Sequence, residues 1–274
     1  MSSRSEKVRR FRALHEAGCF IIPNPWDVGG ARMMDKLGFK ALATTSSGYA
    51  FSTGKIDMTR DVDRDETLQY AAAIAASTHL PVSADTEDCY ATTTEGVAET
   101  VRLAAEAGLA GLSIEDRQPI ATKPIRDFDD AVARVAVAVE AARKYDIVLT
   151  VRADGLGARA YGLDEAIRRI KAFEKLGADV LYVPALRDLA ALREVCRSVD
   201  TPINHVTGLG AAGLSFQQIA DAGVRRISLG GSLAKAMGST LLQTCQTIAR
   251  GDFSDLEKGG GWEPLRNPKA VVES

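Results

Sequence analysis

The chain has 274 residues, 46% of them hydrophobic and 26% charged, enough for a sizeable core within one α/β domain. A formal net charge of −2 with no basic block excludes nucleic acid and an anionic membrane surface as main partners. No apolar run approaches the ~18 residues needed to cross a bilayer, and the N-terminal segment lacks the apolar centre of a signal peptide. Cys19, Cys89, Cys196 and Cys245 form no CxxC pair, so reduced thiols in a cytoplasmic protein are expected rather than disulfides or a zinc site.

In chain order, short apolar runs predict strands at about 19–23, 40–45, 81–85, 110–114, 147–152, 179–183, 202–206 and 226–229. Helical spacing predicts helices at Asp61–Ser77, Glu95–Ala107, Asp129–Lys144, Leu163–Leu176, Leu189–Ser198, Ser215–Ala222 and Ser232–Arg250. A loose repeat recurs as KLGFKALATTS, EAGLAGLSIED, KLGADVLYVPA and DAGVRRISLGG, in which the glycine suits the left-handed end of a helix before the next strand. Eight nearly all-apolar strands alternating with helices indicate a parallel sheet covered on its outer face, which closes naturally into a (β/α)8 TIM-type barrel. An open doubly wound sheet would usually carry GxGxxG after its first strand, where this chain reads NPWDVGGAR. The barrel is expected over residues 1–250. Residues 251–274, with three consecutive glycines and two prolines, read as a C-terminal arm in which Trp262 and Leu265 are candidate anchors on another subunit.

Two strands end in acids: Asp85 and Glu87 in VSADTED, then Glu115 and Asp116 in LSIED. In a parallel barrel both strand ends share one rim, where clustered carboxylates raise one another's pKa and attract a hard cation. At the second strand end, TTSSGYAF offers hydroxyls and a flexible backbone able to aim N–H groups at a carboxylate or enolate oxygen. Arg152, in VLTVRAD, offers a planar fork for a substrate carboxylate or phosphonate. Gly230-Gly231-Ser232 reads as a tight turn, and Cys89 as a small buried thiol rather than a nucleophile.

In these residues the chain resembles the isocitrate lyase/phosphoenolpyruvate mutase superfamily across roughly its whole barrel. Ser47-Gly48-Tyr49 matches the family's Ser-Gly turn, which contacts an α-keto acid. Asp85-Thr86-Glu87 matches its metal-binding D-x-D, Ile114-Glu115-Asp116 its I-E-D, and Val151-Arg152-Ala153-Asp154 its A-R-x-D/E, whose arginine grips the substrate. A further family Asp falls near Gly54-Lys55, with Asp57 as the substitute. The departures concern the loop Arg117–Asp127. It lacks the K-K-C-G-H of isocitrate and methylisocitrate lyases and the E-D-K-x-F-P-K-x-N of phosphoryl-handling members.

The resemblance implies Mg²⁺ (or Mn²⁺) held by Asp85 directly and by Glu87 and Glu115 mostly through water, with Asp116 supporting a loop or pairing with Arg117. It implies substrate contacts from Ser47, Gly48, Tyr49, Arg152 and His205, with His205 binding a carboxylate or protonating an enolate. As a residue in a strand, His205 equally fits a core position. The expected function is a lyase cleaving a C–C bond of a small α-keto or 2-hydroxy di- or tricarboxylate. The alternatives are a P–C bond mutase or hydrolase and a keto-acid-binding barrel without catalysis. A homodimer or homotetramer is also implied, with the segment from Ser232 as the helix exchanged between barrels.

Overall fold

The computed structural model describes residues 2–119, 122–208 and 213–258. Its strands are β1 (Phe20–Ile22), β2 (Leu42–Ala43), β3 (Val82–Asp85), β4 (Gly111–Glu115), β5 (Val148–Arg152), β6 (Val180–Tyr182), β7 (Ile203–Val206) and β8 (Arg226–Ser228). All pair in parallel, in the order β1-β8-β7-β6-β5-β4-β3-β2. At the seam between the first and last of that order, the Ala43 N–H donates to the Pro23 carbonyl at 3.1 Å. Asn24 reinforces the seam: its Nδ2 donates to Thr44 O at 3.0 Å, and its Oδ1 accepts from the Leu229 and Gly230 N–H groups. The sheet is thus a nearly closed (β/α)8 barrel, as the alternation of elements implied.

Helices α1 (Arg4–Ala13), α2 (Val28–Lys36), α3 (Ser46–Ser52), α4 (Arg64–Ser77) and α5 (Thr94–Glu106) belong to the first half. The second half carries α6 (Phe128–Lys144), α7 (Leu163–Leu176), α8 (Leu189–Arg197), α9 (Phe216–Asp221) and α10 (Ser232–Ile248). Starts are set by side-chain caps, among them Asp27, Asp63, Thr93, Asp188 and Ser215, each accepting a backbone N–H of the first turn. The four repeat glycines, Gly38, Gly108, Gly177 and Gly223, all have φ between 84° and 105°, the conformation their position before a strand requires.

One helix departs from expectation. The Ser-Gly segment is not a turn but α3, capped by Thr45, whose side chain accepts from Gly48 N. A Cβ on Gly48 would meet Thr45 Cγ2 at 2.6 Å and Ala234 Cβ at 3.3 Å, so glycine here lets α3 pack close to α10.

Helix α1 closes the N-terminal end of the barrel. Val8 and Phe11 pack there against Ile22, Ala41, Ala110, Val148 and Val180. Above this plug lies a buried polar layer. Arg226 donates to Asn204 Oδ1 (2.8 Å) and Thr150 Oγ1 (3.0 Å), with His15 Nε2 3.5 Å away. Burial and the Arg226 charge push the His15 pKa down to about 3, so the ring is neutral and accepts. No helix of the described residues is long and apolar enough to cross a membrane. Trp262 and Leu265, and the arm beyond Lys258, lie outside the described residues.

Candidate active site

At the C-terminal ends of the strands lies a cavity of about 300 Å³, lined by residues from several different loops. Its charged wall contains Asp57, Asp85, Glu115 and Asp154 together with Arg117, Arg152 and Arg187. Strand geometry explains why these groups meet. In parallel register Glu115 lies beside Arg152, and Arg152 beside Tyr182, so adjacent strand ends place an acid, a base and an aromatic ring side by side.

Arg152 is the hub. Its guanidinium lies 3.3 Å from Asp85 Oδ1, 3.0 Å from Glu115 Oε2 and 2.7 Å from Asp154 Oδ1, and sits 5.0 Å from the centre of the Tyr182 ring. Three carboxylates around one partly buried base hold its pKa well above the ordinary arginine value, against the opposing effect of desolvation. Asp85 is held from its other side by Ser46, through N–H (3.3 Å) and Oγ (3.1 Å), and by Ser113 Oγ (3.3 Å). Glu115 is buried, its Oε1 has no hydrogen-bond partner, and its pKa is raised well above the usual value, chiefly by desolvation. Asp57 Oδ1 is likewise unpartnered, and burial and the Asp85 charge raise that carboxyl.

Glu87 lies behind this wall rather than on it. Tyr90 OH donates to its Oε1 at 3.1 Å and Arg60 stands 3.4 Å from its Oε2. Burial first, and Asp85 second, push it up to about 7. Of the expected set, Asp85 and Glu115 thus line the cavity together, while Glu87 stands behind them within reach of the Asp85 charge. Among the described residues no group of three acid, His or Cys side chains is placed to cage a metal. The donors do suit a cation that touches one carboxylate and keeps most of its water, as Mg²⁺ commonly does. Asp85 is the part-exposed carboxylate at the cavity, and the unpartnered oxygens of Glu115 and Asp57 are acceptors for such water.

Asp116 supports the site from outside it. Its Oδ1 accepts the Asp154 N–H at 2.7 Å, and its Oδ2 accepts from Tyr161 OH (2.7 Å) and Arg169 Nη1 (2.9 Å). Its ion-pair partner is thus Arg169, from α7, not Arg117. This clamp fixes the start of the loop after β5, and with it Asp154 beside Arg152. Asp88 plays a parallel part, binding Arg60 and, at 2.9 Å, Arg126.

Of the other expected contacts, Ser47 lines the cavity and its Oγ is 3.1 Å from Thr45 Oγ1. Gly48 and Tyr49 do not. Their N–H groups bond to Thr45 within α3, which leaves neither free as an oxyanion donor. The Tyr49 ring turns away, stacking on Tyr70 at 3.9 Å while its hydroxyl donates to Glu66.

His205 also faces away. Its neighbours Asn204 and Val206 line the barrel interior and the cavity, so strand alternation sends His205 to the opposite face, level with core residue Ile227. It is buried, both ring nitrogens lack a partner, and desolvation lowers its pKa to about 4. Cys89 is a buried thiol pushed up to about 12. The sequence reading missed Arg187, which lies in a largely apolar loop without a motif; its only signal is its place five residues after a strand end.

A family model for phosphoenolpyruvate phosphomutase matches residues 11–249. The 2-methylisocitrate lyase of Escherichia coli K12 is 30% identical over 193 residues, covering 67% of this chain and 64% of that protein. A crystal structure of a candidate lyase/mutase from Burkholderia cenocepacia J2315 superposes with a TM-score of 0.91 at 42% identity, covering 99% of this chain and 97% of the other. 2,3-Dimethylmalate lyase superposes with a TM-score of 0.81 at 26% identity, over 91% of this chain and 89% of that one. A match of this extent makes the chain a member of the phosphoenolpyruvate mutase family, within the isocitrate lyase/phosphoenolpyruvate mutase superfamily of enzymes.

Proposed function

We propose that the protein is a divalent-metal-dependent lyase that cleaves a C–C bond of a small α-keto or 2-hydroxy carboxylate through a pyruvate-like enolate. The observation that carries this reading is the cluster of Asp85, Glu115 and Asp154 around Arg152 in the wall of the cavity at the strand ends. Bound at Asp85, Mg²⁺ or Mn²⁺ would supply positive charge for the substrate's carboxylate and adjacent oxygen. Arg152 holds the acids in register and adds fixed positive charge where enolate character develops. The Ser46 and Ser47 hydroxyls offer donors on the same wall, and the clamp on Asp116 keeps the loop after β5 from drifting. Glu115 stands on the same wall, ion-paired with Arg152 at 3.0 Å, its carboxyl raised chiefly by burial. His205 has no part, because it faces the helices.

Asp85→Ala tests the metal assignment. Loss of both Mg²⁺ affinity and turnover is expected, and retention of both would overturn it. The substrate panel is oxaloacetate and substituted malates, read as pyruvate-type product release. Phosphonopyruvate, assayed beside them for phosphate release and mutase product, tests the P–C alternative that the matching family model's name favours.

We further propose a homo-oligomer built on α10. Met237, Leu241 and Leu242 on this helix, with Phe51 of α3, are exposed apolar side chains beside an apolar groove. A second copy of the chain covering them would place Cys245, exposed in the single chain, inside the contact. Light scattering of a solely ~29 kDa species would refute this.

A further inference from the structure

The charges around the cavity separate into committed and uncommitted groups. Arg152 is saturated by Asp85, Glu115 and Asp154. Arg117 and Arg187 line the same cavity yet make no ion pair and no side-chain hydrogen bond with any described residue. They come from two different loops. Arg117 follows β4 and is steadied by antiparallel bridging to Ile125 and by the Gln118 N–H bond to Pro124 O at 2.9 Å. Arg187 follows Pro184, Ala185 and Leu186 on the connection from β6 to α8, and all three of those residues also line the cavity. The Arg117 charge acts on Asp57 without contact.

The cavity is therefore lined by a carboxylate cluster already committed to Arg152 and by two guanidiniums with unused planar forks. Such a fork matches a carboxylate through two parallel N–H···O bonds. All these groups line one cavity of about 300 Å³, so a small ligand with its reacting end at the acid cluster has these two groups as the unpaired cations available to its far end. We propose that Arg187, together with Arg117, binds a second carboxylate on the substrate, remote from the reacting carbon, and so selects dicarboxylates over monocarboxylates. The inference rests on the lyase reading above, which supplies the orientation of the reacting end.

The test measures binding by calorimetry in saturating Mg²⁺ for the full chain and for Arg187→Gln, Arg117→Gln and Arg187→Lys. Oxalate probes the acid cluster alone; 3,3-difluorooxaloacetate adds a distal carboxylate and phosphonopyruvate a distal phosphonate. Each Gln variant is expected to weaken difluorooxaloacetate about tenfold relative to oxalate, with partial recovery in Arg187→Lys. That ratio does not move if the side chains serve only the loops. Oxalate binding with an unchanged ratio in both Gln variants overturns the inference and leaves the lyase reading standing. A loss confined to phosphonopyruvate overturns the carboxylate assignment. Failure of the unaltered protein to bind oxalate at all overturns the lyase reading, and the inference with it.

Discussion

Replacing His205 by leucine separates a catalytic histidine from a core one. The ring is 1% exposed with neither nitrogen hydrogen-bonded, and burial lowers its pKa from 6.5 to about 4. A histidine with a lowered folded pKa contributes stability that is fully present above the unfolded value and is lost as pH falls from about 6.5 towards 4. At pH 5 the unfolded chain binds this proton almost fully while the folded protein mostly refuses it, which costs the fold about 2 kcal/mol. Leucine has nearly the same volume and no polar atom, so at pH 8 it also removes the cost of burying unpaired nitrogens, about 1–3 kcal/mol. His205→Leu should thus match or exceed the parent in urea unfolding at pH 8 and gain about 2 kcal/mol more at pH 5. Because the comparison is between two proteins at each pH, the raised carboxylates of the site cancel. Turnover and Mg²⁺-dependent oxalate affinity at pH 8 should be unchanged. A cooperatively folded variant that loses turnover would refute the outward placement. An equal stability difference at both pH values would refute the lowered pKa.

Arg152→Met leaves three carboxylates facing one another without their shared cation and should cost about 3–5 kcal/mol in denaturant unfolding of the metal-free protein. Phe11→Ala, which unplugs the base of the barrel, should cost about 3–5 kcal/mol in the same assay, with oxalate affinity retained because the cavity lies at the other end. A thiol reagent should label exposed Cys245 in any monomeric fraction, spare it in an oligomer, and reach Cys89 only on unfolding, since that thiol is buried and pushed up to about 12.

The barrel was legible because its signals are periodic and repeated. Apolar runs marked the strands, and glycines at helix ends marked the entries, which the positive φ of Gly38, Gly108, Gly177 and Gly223 now explains. Helix α3 was not legible, since serine and glycine, four of its seven residues, are weak helix formers and so short a segment carries no periodicity. Its stability comes from the Thr45 cap and from contact with α10, which no local pattern announces. The acids at strand ends could be read from sequence, but their division of labour could not. Whether Asp116 meets Arg117 or Arg169 depends on how α7 docks, and Glu87, at a φ of 47°, is held behind the wall by Tyr90 and Arg60, neither of which any strand-end pattern marks.

His205 shows the same limit at the scale of a single residue of register. In a strand of four residues, one step of register decides whether a side chain meets substrate or helix. The pairing of Asn204 with Arg226 settles that step, since each is too polar to face the apolar layer and each satisfies the other inside the barrel. A partner strand 22 positions away thereby excludes His205 from the chemistry. The same logic shifts attention from motif residues to uncommitted ones. Arg152 lies in the recognisable motif but spends its charge holding acids in place, whereas Arg187 lies in no motif and keeps its charge free. In a cavity where most charges are paired, the proposed selection falls to groups left unpaired, and one of them, Arg187, is marked by no sequence motif.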